Sequence, residues 1–229
     1  MTMLANKSVV VTGGLGALGR AVVSELAAQG ARVAVLDCSS RFEACPAEAV
    51  FDGVDLRNAS ATAEAIKSIA AQLGGIFGLV NIAGGFCYET FAEGRLETWD
   101  LMYETNLRSC AVACLAALPY LRSNGSGRIV NIGAAGAQRA TCGLGAYAAS
   151  KAGVARFTES LSDELKDQSI TVNAVLPSVI DTPANRLQMS DADFSRWVSP
   201  TSVAHLIAFL LSEQSVDITG ALIPIVGRV

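Results

Sequence analysis

The chain has 229 residues, 51% of them apolar, and carries a formal charge of −4. That length and apolar content suit one α/β domain with a sizeable core. An acidic balance without a basic run argues against nucleic acid or an anionic membrane as partner, and the longest apolar stretches, such as AVACLAALPYL (111–121), are too short to span a bilayer.

Strand-like and helix-like segments alternate along the chain. Residues 7–12 (KSVVVT) predict a buried strand, followed by a glycine-rich turn and a helix over 17–29 closed by Gly30. Residues 31–36 predict the next strand, ending on Asp37; an irregular stretch (39–48) precedes a strand near 50–56. A helix over 61–73 stops at Gly74-Gly75, and 76–82 is again a strand. One long helix is expected over 96–121, then a strand at 128–132, a helix at 146–166 and a strand at 170–176. Residues 178–200 read as a polar, irregular substrate loop, 201–212 as helix and 221–226 as a last strand. Strands separated by helices imply a doubly wound parallel sheet with helices on both faces. Residues 1–229 therefore read as a single domain, without repeat or linker. Because 2–5 lead straight into a strand, no signal peptide is expected, and the chain reads as soluble and cytoplasmic.

Six cysteines (Cys38, Cys45, Cys87, Cys110, Cys114, Cys142) fall at irregular spacings with no C-x-x-C, which favours reduced core thiols over disulfides or metal ligands. The single histidine, His205, opposes zinc sites built on paired histidines and any Ser-His-Asp triad. No metal site is expected, and any acid or base must be another residue type.

The segment TGGLGALG places Gly13, Gly14, Gly16, Leu18 and Gly19 between the first strand and first helix. There, glycines let the backbone approach a pyrophosphate, and a helix N-terminus offers free N–H groups. A bare tight turn is the competing reading. Asp37, 18 residues after Gly19, can accept from ribose hydroxyls and repel an extra phosphate, favouring NAD over NADP. Arg41 is within sequence reach of such a phosphate, which keeps NADP as the alternative. Asp55, followed by Leu56, suits the adenine edge, and Asn81, Ala83 and Gly84 are expected to line the same crevice.

The run NIGAAGAQRATCGLGAYAASK (131–151) closes with Tyr147 and Lys151, which share one helical face. A tyrosine ordinarily titrates near ~10; a neighbouring ammonium and an oxidised nicotinamide would lower that value and fit the phenol for proton transfer.

Taken in order, T-G-G-x-G-x-x-G, N-x-A-G, TNLRS, R-I-V-N-I, Y-x-x-x-K and V-N-A-V-L-P cover nearly the whole chain, and together they resemble the short-chain dehydrogenase/reductase family. The resemblance implies a Rossmann-type sheet of about seven strands and a nicotinamide cofactor. It implies Tyr147 as acid/base, Lys151 gripping the nicotinamide ribose and Asn106 holding a relay water. It also implies Thr182, following Pro177, at the nicotinamide amide, and a homodimer or homotetramer, for which the small-residue surface SCAVACLAAL is suited. Two departures stand out. Ala17 replaces the usual middle glycine of the turn, and Ala134 occupies the position 13 residues before Tyr147 where the family has a serine. An alanine there, G-G-x-G-A-L-G, A-G-G (83–85), D-L-M (100–102) and the 176–197 segment are similar to the quinonoid dihydropteridine reductases.

The expected function is an NAD(P)-dependent oxidoreductase moving hydride to or from a small carbonyl, alcohol or quinonoid substrate. A quinonoid dihydropteridine reductase is the narrower alternative. Removing one donor to a developing oxyanion costs on the order of 10²–10³ in rate, so Ala134 fits an acceptor that spreads charge, or a carbonyl bound jointly by Tyr147 and Gln138. A non-catalytic nucleotide-binding protein is the other alternative, opposed by the retention of Asn106, Tyr147 and Lys151. In the loop, Arg186, Asp191, Asp193 and Trp197 are within reach of substrate; the competing reading makes MSDADF a helix start capped by Ser190 or Asp191. Cys142 is placed near the pocket without assigned chemistry.

Overall fold

The computed structural model describes residues 2–40 and 45–229, so Arg41 lies outside the described residues. Seven parallel strands form one sheet: β1 Ser8–Thr12, β2 Arg32–Leu36, β3 Ala49–Phe51, β4 Gly78–Asn81, β5 Gly127–Ile132, β6 Ile170–Pro177 and β7 Leu222–Ile225, in the order β3-β2-β1-β4-β5-β6-β7. Successive strand side chains point to opposite faces, so the run Val9-Val10-Val11 supplies two cores at once. Val9 and Val11 pack under α1 (Ala17–Ala28) and α7 (Pro200–Leu211); Val10 packs under α2 (Ala59–Leu73), α4 (Ser109–Ser123) and α5 (Gly145–Leu165). This is the doubly wound architecture that alternating apolar strands and amphipathic helices require. Strand order reverses between β1 and β4, which opens a crevice beyond their C-terminal ends.

Several boundaries differ from the sequence expectation for identifiable reasons. The third strand ends at Phe51 rather than continuing to 56, because Gly53 adopts a left-handed conformation (φ +67°) and the Val54 N–H turns back to the Asp37 carbonyl. The long helix runs from α3 (Leu96–Met102) into α4, but through a π-helical turn, Tyr103–Arg108, that holds Asn106. The loop after β6 contains a short helix, α6 (Pro183–Gln188), whose first turn is capped by Thr182. Asp193 caps the one-turn segment Phe194–Arg196, so neither Ser190 nor Asp191 is an N-cap; they contact each other.

Two composition arguments need correction. Cys110 and Cys114 are buried, but Cys38 and Cys142 are exposed, so the thiols are free without all being core. The small residues of α4 (Cys110, Ala113, Cys114, Ala117) face inward onto α2 and the sheet, while Leu115 on the outer face is 72% exposed. That stripe is core packing and not an outward surface. His205 is exposed beside Glu25 of α1. Among the described residues, no helix is long and apolar enough to cross a membrane.

A buried polar cluster joins the central strands to the helices behind them. Asn81 and Asn131 are register partners on β4 and β5, and Asn81 Nδ2 donates to Asn131 Oδ1 at 2.9 Å. Asn131 Nδ2 donates to Thr158 Oγ1 of α5 at 2.9 Å, and Cys110 Sγ–H of α4 points to Asn131 Oδ1 at 3.3 Å. Asn131 therefore ties α4, α5, β4 and β5 together. Asn131→Ala strands those partners in the interior and should lower unfolding free energy by about 1–3 kcal/mol, read from the urea midpoint.

Candidate active site

A cleft of about 870 Å³ lies over the β1/β4 switch. Its walls include Gly13, Gly16, Leu18, Gly19, Asp37, Asp55, Leu56, Ala83, Gly84 and Thr182, all expected from the sequence. Cys38, Arg57, Thr105 and Ser109 also line it and were not foreseen. Three expected residues, Gly14, Asn81 and Pro177, lie outside this wall. Gly14 is buried against Val35, where a Cβ would come within 2.7 Å of Cγ1. Asn81 turns into the polar cluster described above, where its Nδ2 donates to Asn131 Oδ1 and Cys114 Sγ. Pro177 closes β6 and is not part of the cleft wall.

The glycine turn is built for close approach. Gly13 has φ +67°, and a Cβ on it would sit 2.8 Å from the Ala83 nitrogen; one on Gly19 would sit 2.1 Å from the Gly13 carbonyl. The α1 N-cap, Gly16, offers no side-chain cap, so the orphan donors of the first turn are left for an anion. Ala17 is the exposed first residue of α1 and lines the cleft, so its methyl replaces the usual glycine without a clash. At the far end, Asp37 Oδ2 accepts from the Leu15 N–H and Oδ1 from the Ser39 N–H, both at 2.9 Å, which fixes the carboxylate facing the turn. Arg57 is the one basic side chain in the wall among the described residues; it is bound to Asp55 (Nη2–Oδ2 2.8 Å), which holds that carboxyl below its ordinary range. These features fit a dinucleotide: a bare helix N-terminus for pyrophosphate, a positioned carboxylate for ribose and a glycine-lined approach.

The cleft meets Asn106 and Lys151 at Gly84. A Cβ there would lie 2.7 Å from Asn106 Oδ1 and 3.3 Å from Lys151 Nζ, so a side chain would wedge cleft and helix apart. Asn106 is buried; its Oδ1 accepts from the Gly85 N–H (2.8 Å) while Nδ2 donates to the Gly85 carbonyl (3.1 Å) and to Ser150 Oγ (2.9 Å). Ser150 in turn donates to the Tyr147 carbonyl at 2.7 Å. Thr12 Oγ1 accepts from the N–H groups of Ile82 and Ala83, pinning the start of the same segment. Ser150 carries no mark that separates it from an ordinary helix residue, and Thr12, although it opens the T-G-G motif, was given no role of its own.

Tyr147 and Lys151 both lie on α5, as expected, and burial acts on both. Lys151 is buried and donates to the Ile132 carbonyl at 2.8 Å; burial pushes its ammonium down to about 8. Burial raises the Tyr147 phenol, and no lowering from Lys151 offsets it. Burial is the cause that moves the phenol, and the expected lowering calls on the oxidised nicotinamide as well as the ammonium. Ala134 is 7% exposed and starts the 3₁₀ turn Ala135–Ala137, which packs on α5; it brings a methyl where a hydroxyl was sought. Gln138 is exposed at the end of that turn.

The loop residues are largely occupied with one another. Arg186 pairs with Asp181 (2.6 Å) and covers the Phe194 ring; Asp193 caps its own turn; Trp197 packs on Phe194 with centroids 4.8 Å apart. The two ends of the loop are joined, with the Asp181 N–H donating to the Val198 carbonyl and the Val198 N–H to the Val179 carbonyl. The guanidinium of Arg196 donates to the Arg228 carbonyl, and that of Arg228 donates to Ser195.

Lys151 gives a signed stability prediction. Its folded value near 8 lies below the ordinary 10.5, so the unfolded chain holds the extra proton between these pH values. Its burial penalty is complete below about pH 8 and disappears as pH rises towards 10.5, so stability gains with pH across that window. Lys151→Met should remove this gain, seen as a flatter dependence of the urea midpoint on pH in the cofactor-free protein.

Comparison with known proteins agrees with this geometry. The sequence pattern of the family described as short chain dehydrogenase matches residues 7–193. The chain is 30% identical to 2,5-dichloro-2,5-cyclohexadiene-1,4-diol dehydrogenase of Sphingobium indicum over 98% of this chain and 96% of that one. It is 32% identical to acetoacetyl-CoA reductase of Allochromatium vinosum, covering 95% and 96% of the two chains. Its fold matches carveol dehydrogenase from Mycobacterium avium in complex with NAD, with a TM-score of 0.89 and 25% identity over 99% and 98% of the chains. The chain belongs to the short-chain dehydrogenase family and is an oxidoreductase of the dehydrogenase/reductase type.

Proposed function

We propose that the chain is a single-domain, cytoplasmic, homo-oligomeric enzyme that moves hydride between NAD and a small carbonyl/alcohol or quinonoid substrate, with Tyr147 as the acid/base. The observation that carries this reading is the meeting of the cleft with Lys151 and Asn106 at Gly84, one helical turn from Tyr147. The exposed Leu96, Leu101 and Leu115 of the α3–α4 helix offer an apolar surface for the oligomer.

Bound in the cleft, NAD supplies the hydride acceptor or donor. Gly13, Gly16, Leu18 and Gly19 would hold its pyrophosphate at the α1 N-terminus, and Asp37 its adenosine ribose. Asp37 repels a phosphate at that ribose, which favours NAD over NADP. Asp55 and Leu56 would flank the adenine, and Thr182 the nicotinamide amide, with Pro177 ending the strand that leads to it. An ammonium has three donors, so Lys151 can keep its bond to Ile132 and offer another to the nicotinamide ribose. Asn106 has its side chain committed to Gly85 and Ser150, so a relay water falls to its backbone carbonyl in the π turn.

Tyr147 donates its proton in reduction and receives one in oxidation. The partly buried, raised phenol suits donation at neutral pH. Ala134 favours the quinonoid reading within this class, since a conjugated acceptor needs the missing hydroxyl least. The relatives are named instead for a cyclohexadiene diol and for an acyl thioester, so dihydropteridine reduction stays the narrower alternative.

Turnover of NADH with a panel of cyclic diketones, small keto acids and quinonoid dihydropterin tests the reading; tight NADH binding with no turnover of any would defeat it. Tyr147→Phe should lower kcat by about 10²-fold or more while leaving the NADH dissociation constant within about twofold. With the phenol raised, alcohol oxidation should climb with pH above neutrality, while reduction holds level at neutral pH and falls only in alkali. Asp37→Ser should shift the NADH/NADPH preference towards NADPH by about tenfold or more, from the ratio of kcat/KM values.

A further inference from the structure

One aromatic contact beside Tyr147 has no part in the proton chemistry above. Phe86 is the first residue after Gly85, whose N–H and carbonyl are both held by Asn106, so its point of departure from the cleft is fixed. Its ring meets the Tyr147 ring edge to face, with centroids 4.9 Å apart and planes at 71°. Phe86 is nevertheless 54% exposed, so it braces Tyr147 on one side and leaves apolar surface open on the other. The segment is anchored again three residues on, where the Glu89 N–H donates to the Gly143 carbonyl at 2.9 Å. Between these anchors the Tyr88 ring lies so close to Gly143 that a Cβ there would be 2.3 Å from it. The two rings thus stand on a segment tied to both the cleft and the approach to α5.

A group that exchanges a proton with Tyr147 must come within about 2.7 Å of its hydroxyl. A ring packed edge to face on that tyrosine, with centroids 4.9 Å apart, is an immediate neighbour of the place such a group must occupy. Phe86 presents a face or edge without charge or hydrogen-bonding capacity, which rewards a flat ring and gives nothing to a carboxylate. Nearby Glu89 is no competing polar contact, since its carboxylate accepts from the Arg95 N–H and is further held by Thr98.

We propose that Phe86 is a specificity-determining residue of this site, selecting a flat, uncharged ring substrate and holding the Tyr147 ring in orientation. The inference rests on Tyr147 as the acid/base. Its test uses the protein saturated with NAD⁺, with isatin as the flat ring probe and pyruvate as the acyclic anionic control, both measured by titration calorimetry. Isatin should bind at least about tenfold more tightly than pyruvate; Phe86→Ala should weaken isatin by about tenfold and leave pyruvate within about twofold, while Phe86→Trp keeps the preference. Unchanged NAD⁺ affinity certifies each variant's fold, and Phe86→Leu replaces the alanine variant if the latter does not fold.

A second readout needs no ligand. The ultraviolet difference titration between each protein and its Tyr147→Phe counterpart isolates the Tyr147 phenol, and Phe86→Ala should move it towards ordinary tyrosine by admitting water. The proposal is overturned if wild type prefers pyruvate or neither probe. It is equally overturned if Phe86→Ala weakens both probes alike, or leaves both isatin binding and the tyrosine titration unchanged. A Phe86-dependent isatin site on a protein that turns over no substrate supports this inference and defeats the catalytic reading instead.

Discussion

The buried amide of Asn106 is the junction on which the site's geometry depends. A primary amide has one acceptor and two donor hydrogens, and burying it without partners is costly. Here Gly85 satisfies it on both sides and Ser150 takes another donor contact, so the amide is paid only when β4's trailing segment, the π turn and α5 meet. The π turn is what aims the side chain: with regular α-helical winding from 96 onwards, residue 106 would leave the helix at a different angle. Glycine at 84 is then forced by space, since Asn106 and Lys151 already fill the place of its side chain.

Proton chemistry and burial pull against each other at α5. Enclosing Lys151 lowers its hold on a proton, and enclosing Tyr147 raises its hold. Both shifts disfavour the charged forms, as desolvation must. An ammonium committed to the Ile132 carbonyl does little for a phenol one turn away. The phenol is therefore held in its neutral form by its surroundings, with the lysine's charge turned elsewhere.

Parts of this were legible in the sequence because they answer to backbone requirements. The glycine turn, the acidic end of β2 and the i, i+4 spacing of Tyr147 and Lys151 are local features that no tertiary detail can rearrange. What was not legible depended on distant neighbours. Asn81 looked like a cleft residue until Asn131, 50 positions on, proved to be its register partner. The stripe of small residues in α4 reads the same whether it faces a second chain or its own sheet, and here it faces the sheet. Phe86 carried no motif at all; its meaning comes only from the ring it touches. Sequence spacing likewise does not reveal that the Ile132 carbonyl accepts a hydrogen bond from the Lys151 ammonium.

The segment between β6 and α7 closes on itself. Its two ends are zipped at Val179–Asp181 and Val198, and its far shoulder is tied to Arg228 through a pair of guanidinium contacts. The stretch that brings Thr182 to the cleft wall is thus held at two fixed feet, as a bridge is, and has no hanging end.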